Sequence, residues 1–236
     1  TLFIVFAMEQ VFFRSNQVVL GIMSGTAAVA VYAIGAQVYM SYMPLATTIS
    51  GVFFPKVTQM AATKRPTAEF SDLFIRIGRL QFLLLGLVLS GFILFGQRFM
   101  HFWVGDNFMD AYWVALLVIG PYTFDIIQSL GPTIMQARND FSFKATVSII
   151  TGILNIALAI PAAHYWGGIG CACVTGMLVL TGNCLAMDIY YVKKLQLDIL
   201  GFWKNIIHMA VFVGLAMLLE VLLEPVVHLL GITGLH

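Results

Sequence analysis

Leu80-Gln81-Phe82-Leu83-Leu84-Leu85-Gly86-Leu87-Val88-Leu89-Ser90-Gly91-Phe92-Ile93-Leu94-Phe95-Gly96-Gln97 holds no charged residue. An apolar run of that length reads as a bilayer crossing, which takes about 20 residues. Extended to Trp103 it is one of seven such segments. The others run roughly from Leu2 to Met23, Val29 to Phe54, Ala111 to Met135, Ala145 to Tyr165, Ile169 to Val192 and Ile206 to Val227. Membrane strands are a poor fit, because they alternate over about ten residues and these runs stay apolar for twice that. Composition agrees: 60% of the 236 residues are hydrophobic and 10% charged, against about 25% charged in an ordinary globular domain. The expected fold class is all-α, a polytopic membrane helix bundle. Short turns are expected at Ser24-Gly25-Thr26, Pro55, Pro66 and Gly167-Gly168.

The distribution of charge sets an orientation. Lys56, Lys64, Arg65, Arg76, Arg79, Arg138, Lys144, Lys193, Lys194 and Lys204 fall in or beside three alternate connections, which the positive-inside rule makes cytoplasmic. The connections around Ser24, Asp106 and His164 then face outward. The Thr63 to Arg79 stretch repeats Phe70, Leu73, Phe74 and Ile77 at helical spacing, opposite Glu69, Asp72, Arg76 and Arg79. It is expected to be a cytoplasmic amphipathic helix near 63–79 leading into the third span, lying at the headgroups or docking a partner. The chain opens on Thr1 directly into an apolar run and reads as an internal fragment.

Function classes narrow quickly. The net charge of +1 gives no footing for nucleic acid. There is no Walker loop, His-Glu-x-x-His site or nucleophile elbow, so no enzyme, catalytic residue, metal or cofactor is expected. Cys171, Cys173 and Cys184 share an apolar stretch and read as packing thiols.

Ionisable residues inside spans are the functional candidates, because charge at bilayer depth costs several kcal/mol unless it faces a cavity or a partner. In the first span Glu9, Gln10, Arg14, Asn16 and Gln17 fall on one side of a helix. Arg14 suits a phosphate, with a self-neutralising Glu9 and Arg14 pair as the alternative. In the fourth span Asp125 and Gln128 are three apart, between Pro121 and Gly131-Pro132, and proline breaks in transporter helices lie near substrate sites. Asp125 could hold a coupling proton or cation, or serve as the counter-charge of Arg14. Asn155, Gln37 and Asn183 read as interhelical glue, Asp188 as an end residue able to snorkel, and Glu220 with Glu224 as a solvated rim.

Several segments together resemble the polysaccharide and oligosaccharide flippases of the multidrug/oligosaccharidyl-lipid/polysaccharide exporter superfamily. They are Ser15-Asn16-Gln17-Val18-Val19-Leu20-Gly21 followed by Gly25-Thr26-Ala27-Ala28-Val29-Ala30-Val31-Tyr32, then Ile49-Ser50-Gly51-Val52-Phe53-Phe54-Pro55-Lys56, Leu154-Asn155-Ile156, and Gly167-Gly168-Ile169-Gly170-Cys171-Ala172. The polar position before the first glycine is commonly Asp in that family and is Asn16 here. The resemblance, from about Phe3 to Lys204, implies the C-terminal half of a fourteen-helix transporter. Residues 1–200 would be a six-helix bundle and 201–236 an additional membrane helix, ending before the last one. It implies a carrier of polyprenyl-diphosphate oligosaccharide in a prokaryotic cytoplasmic membrane, with membrane lipids and a coupling ion, H+ or Na+, as further partners. On that basis Arg14, Gln10, Gln17 and Asn16 are the expected substrate contacts, and Asp125, Glu9 and Gln128 the ion-coupling candidates. A cation-coupled multidrug antiporter of the same superfamily is the alternative, and a non-catalytic membrane subunit a more distant one.

The orientation is open to direct test. A cysteine placed at Thr26 or Asn107 should react with an impermeant maleimide added outside intact cells, while one at Thr67 should react only after permeabilisation.

Overall fold

The computed structural model describes residues 2–229, without the side chains of residues 2–4, 6, 8, 9, 13 and 219–229. Within them the chain is helical almost throughout: α1 (Leu2–Met23), α2 (Gly25–Ala62), α3 (Thr67–Val104), α4 (Asp110–Ile126) and α5 (Leu130–Ala137), followed by the long stretch Ser142–Leu195 and a final helix, Ile199–Leu229. Helix is what a bilayer demands, since only intrasegment bonds satisfy every backbone N–H and C=O away from water. Four of the described stretches are long and apolar enough to cross a membrane, or five when α4 and α5 count as one bent span. Their outer surface is apolar too: Phe102, Leu200, Leu87 and Phe212 are each at least 67% exposed. This is the inversion expected of a chain whose solvent is lipid.

The stretch Ser142–Leu195 is not one rod. Gly167 takes φ 56° and ψ −137°, outside helical space, and reverses the chain. Contacts across the reversal are those of a hairpin. Cys171 Sγ lies 3.8 Å from the Ala159 carbonyl, and the Thr175 hydroxyl reaches Asn155 Oδ1 at 3.4 Å. In a straight helix residues 155 and 175 would stand about 30 Å apart. We number the arms α6 (142–166) and α7 (168–195), and the final helix α8. The turn expected at Gly167-Gly168 is therefore present, and each arm is of membrane length.

Two expected boundaries move. Pro55 does not end a helix: α2 runs on to Ala62 through both Pro44 and Pro55. The amphipathic stretch starts at Thr67 rather than Thr63 and leads without a break into the third span, as α3, Thr67–Val104. Its apolar face packs inside the protein. Phe70, Leu73, Phe74 and Ile77 are buried, Phe74 stacks near Tyr191 and Phe202, and the Arg138 guanidinium sits 4.6 Å above the Phe70 ring. The helix ends at Lys64, Asn139 and Gln196 each adopt left-handed backbone, which closes the final turns with bonds such as Arg65 N–H to Met60 O at 3.0 Å and Asp140 N–H to Met135 O at 2.9 Å.

Small residues set the helix spacings. A methyl added at Gly176 would meet Pro121 at 2.8 Å and the Leu117 carbonyl at 2.9 Å, so α7 lies directly against α4. At Gly170 the same methyl would fall 2.5 Å from the Ala162 carbonyl, across the hairpin, whereas at Gly168 nothing is nearer than 3.9 Å. Gly170→Ala should therefore part the α6–α7 arms and cost about 1–3 kcal/mol. Gly168→Ala should be close to neutral, the difference being read as thermal unfolding midpoints in detergent.

Candidate functional site

The centre of the bundle is organised by a broken helix. Pro132 has no N–H to give to the Gln128 carbonyl one turn back, and its ring crowds that carbonyl. The Gly131 N–H takes the acceptor instead at 2.7 Å, in a tighter turn. Residues 127–129 leave the helix, and α4 and α5 meet at 44°. Asp125 lies in the last turn of α4, Gln128 and Ser129 in the break itself. The Ser129 hydroxyl meets that of Ser50 at 2.6 Å, and Gln81 Nε2 reaches Ser50, Ser129 and the Ala46 carbonyl within 2.9 Å. These bonds tie the break to α2 and α3.

In front of the break lies a cavity of about 330 Å³, with Gln10, Tyr39, Asp125, Ser129, Lys144 and Asn183 on its wall. Lys144, 7% exposed, attracts the Asp125 carboxylate, and the Asn183 side chain hydrogen-bonds to it. The wall thus brings α1, α2, α4, α5, α6 and α7 together around one cation and one anion. Behind Asp125 the polar path continues. Gln128, 4% exposed, points its amide nitrogen at the Phe124 carbonyl and the Cys184 thiol, both at 3.3 Å. Asp188 accepts from the Trp203 indole at 2.8 Å and also faces Gln128. Asn183 and Cys184 lie on π-helical turns spanning Val179–Ala186, whose wider backbone is a frequent feature of functional sites.

The expected first-span face divides. Gln10 lines the cavity. Arg14 is exposed and is not on this wall, so it does not meet Asp125 there. Gln17 is half-buried and likewise off the wall. Asn16 is fully buried, and every polar atom it has is used. Nδ2 donates to the Tyr32 and Thr175 hydroxyls, both at 2.7 Å, and Oδ1 accepts from Asn155 Nδ2 at 3.0 Å. Asn16 thus takes part in a buried hydrogen-bonded junction between helices. Asn155 is interhelical glue as expected, bonding also to the Phe12 carbonyl and Ser15 hydroxyl at 3.2 Å. Gln37 is not, being exposed on α2. The side chains of Glu9, Glu220 and Glu224 lie outside the described residues.

Three residues enter the site that sequence reasoning placed elsewhere. Lys144 looked like part of a cytoplasmic connection, Asn183 like packing, and Asp188 like a snorkelling end residue. The signal was weak but present: each is polar and within one or two helical turns of a span's apolar stretch, and Asp188 lies five residues after Asn183. No family model, no curated protein and no solved structure matches the chain. The chain is a multi-pass, all-α membrane bundle, an architecture consistent with transport.

The Asn16 cluster predicts a clear division between stability and function. Asn16→Leu strands two hydroxyls and the Asn155 amide, each buried orphan costing on the order of 1–3 kcal/mol. It should lower the unfolding midpoint and membrane abundance, while Arg14→Gln leaves both near wild type.

Proposed function

We propose that the chain is the cavity-bearing part of a transporter that carries polyprenyl-diphosphate oligosaccharide across a prokaryotic cytoplasmic membrane by alternating access. The observation that carries this reading is a buried lysine on the wall of a cavity enclosed by the helix bundle. Lys144 contributes a positive charge beside amide and hydroxyl groups of Gln10, Ser129 and Asn183, a combination suited to phosphate oxygens. A cavity of about 330 Å³ accommodates a diphosphate and its first sugar, leaving the isoprenoid tail in lipid. The ordered resemblance of the Ser15–Gly21, Ile49–Lys56 and Gly167–Ala172 segments to polysaccharide flippases supports the same class.

The residues then divide the work. Lys144 is the inner anion contact and Gln10 a neutral donor beside it. Arg14, exposed on α1, is a second cation available to the headgroup outside this cavity. Asp125 competes with the incoming phosphate for Lys144. Substrate entry therefore breaks one electrostatic contact as it makes another, and this ties occupancy to the charge state of Asp125. No catalytic residue is assigned.

One observation favours the second reading, a cation-coupled multidrug antiporter. Asp125 stands on the cavity wall, where it could receive an organic cation, with Lys144 as its counter-ion. The two readings predict opposite results for the same pair of changes. For a glycolipid flippase, Lys144→Gln should lower translocation in proteoliposomes by tenfold or more at normal abundance, while Asp125→Asn is milder. For an antiporter, Asp125→Asn abolishes efflux and Lys144→Gln does not.

A further inference from the structure

Another cavity, sharing no residue with the central one, lies between the end of α2 and the start of α3. The two helices run antiparallel: the Tyr42 hydroxyl bonds to the Leu85 carbonyl at 3.0 Å, and Gln81 to the Ala46 carbonyl at 2.9 Å. Where their ends meet, about 570 Å³ opens, with Lys56, Gln59, Arg65, Glu69, Asp72 and Arg76 on its wall. All six are exposed.

The charges on this wall are ordered. Lys56 stands four residues after Val52 and Arg76 four before Leu80, so each cation shares a helix face with an apolar residue. Val52 is 71% and Leu80 49% exposed, and both belong to runs that read as bilayer crossings. The two cations therefore sit one turn outside the apolar surface, at headgroup level. Asp72 lies one turn, about 6 Å, farther out than Arg76. Beyond it Arg65 and Glu69 neutralise each other at 3.6 Å. Among the described residues Lys56, Asp72 and Arg76 form no ion pair, although a spacing of four would let the last two meet. Solvation accounts for each exposed charge singly. It does not account for their order around one cavity, cations near the bilayer and a carboxylate outside them.

We propose that this cavity binds the headgroup of an aminophospholipid of the phosphatidylethanolamine type, with the phosphate between Lys56 and Arg76 and the ammonium against Asp72. The acyl chains then lie along Val52 and Leu80. An oxygen and two carbons link the phosphorus to the ammonium nitrogen, which spans the turn from Arg76 to Asp72. Basic pockets between membrane helices are suited to lipid phosphate. The carboxylate is what selects the amine. A primary ammonium donates up to three hydrogen bonds, and those to a carboxylate are charge-assisted. A choline headgroup has the charge but no N–H. A glycerol headgroup brings only hydroxyls to Asp72, and its unbalanced phosphate repels that carboxylate. The site is independent of what the central cavity carries.

The experiment titrates the full-length protein in detergent with dioleoyl phosphatidylethanolamine, phosphatidylglycerol or phosphatidylcholine, and reads the lipid-bound fraction by native mass spectrometry. Phosphatidylethanolamine should bind about fivefold tighter than either of the others, the gain expected of one exposed charge pair. Asp72→Asn should erase that preference and leave phosphatidylcholine binding unchanged. Arg76→Gln should weaken all three lipids, whereas Lys204→Gln, an exposed cation outside the cavity, should weaken none. Asp72 and Arg76 are both exposed, so neither change should lower the unfolding midpoint. Equal binding of the three lipids, tighter binding of phosphatidylglycerol, a preference that survives Asp72→Asn, or undiminished binding by Arg76→Gln overturns the proposal.

Discussion

The bundle depends on one polar junction. Asn16, Tyr32, Asn155 and Thr175 come from α1, α2, α6 and α7, and their hydrogen bonds close within a space that excludes solvent. In lipid there is no hydrophobic force to hold helices together, because tails are as apolar as side chains. Specific bonds and close packing must do it. The junction fixes the rotation of α1, which carries Gln10 to the cavity wall, and bridges the α6–α7 hairpin near its mid-length. Gly170 and Gly176 then let the hairpin arms approach each other and α4.

A second consequence concerns where polarity is tolerated. Four of the cavity's polar groups, Asp125, Ser129, Asn183 and Lys144, lie where helix geometry is interrupted or begins: at the 127–129 break, on the π-helical turns at Val179–Ala186, and in the first turn of α6. Interrupted helix frees backbone groups and widens side-chain spacing, so polar side chains find partners there that a regular helix denies them. The Gln81, Ser50 and Ser129 bonds serve the same end on the far side of the break.

Much of the fold was legible because the constraint is simple. A crossing needs about 20 apolar residues, and Leu80 to Gln97 or Ala145 to Tyr165 satisfies it with little interruption. Gly167-Gly168 marked the hairpin, and Pro132 marked the broken helix at Asp125, since backbone chemistry at glycine and proline is local. Pro55 failed as a stop signal because α2 continues past it, its packing outweighing one lost bond. The site was less legible. Helical periodicity gives the angle between residues on one helix but not the rotation of that helix against its neighbours. Asn16 and Arg14 therefore looked equivalent, and one is sealed in a hydrogen-bonded junction while the other is exposed. The π-helical turns have no period of their own in the sequence, and Asp188 was assigned to the wrong environment as a result.

Lys144 shows how charge at a helix start can act inside a bundle. It lies in the first turn of α6, where a basic residue opposes the helix dipole, so its position is not favoured locally. Burial adds a further cost. Both are offset by Asp125, which in turn would be poorly placed beside Asp188 without a cation on its other side. The two charges are thus each tolerated because of the other, and an anionic ligand that takes Lys144 must leave Asp125 exposed to repulsion from Asp188. A positive ion or a proton is then needed at Asp125 for the liganded state to be as stable as the empty one. Ligand and cation are linked through this pair by electrostatics alone, with no moving part beyond the side chains themselves.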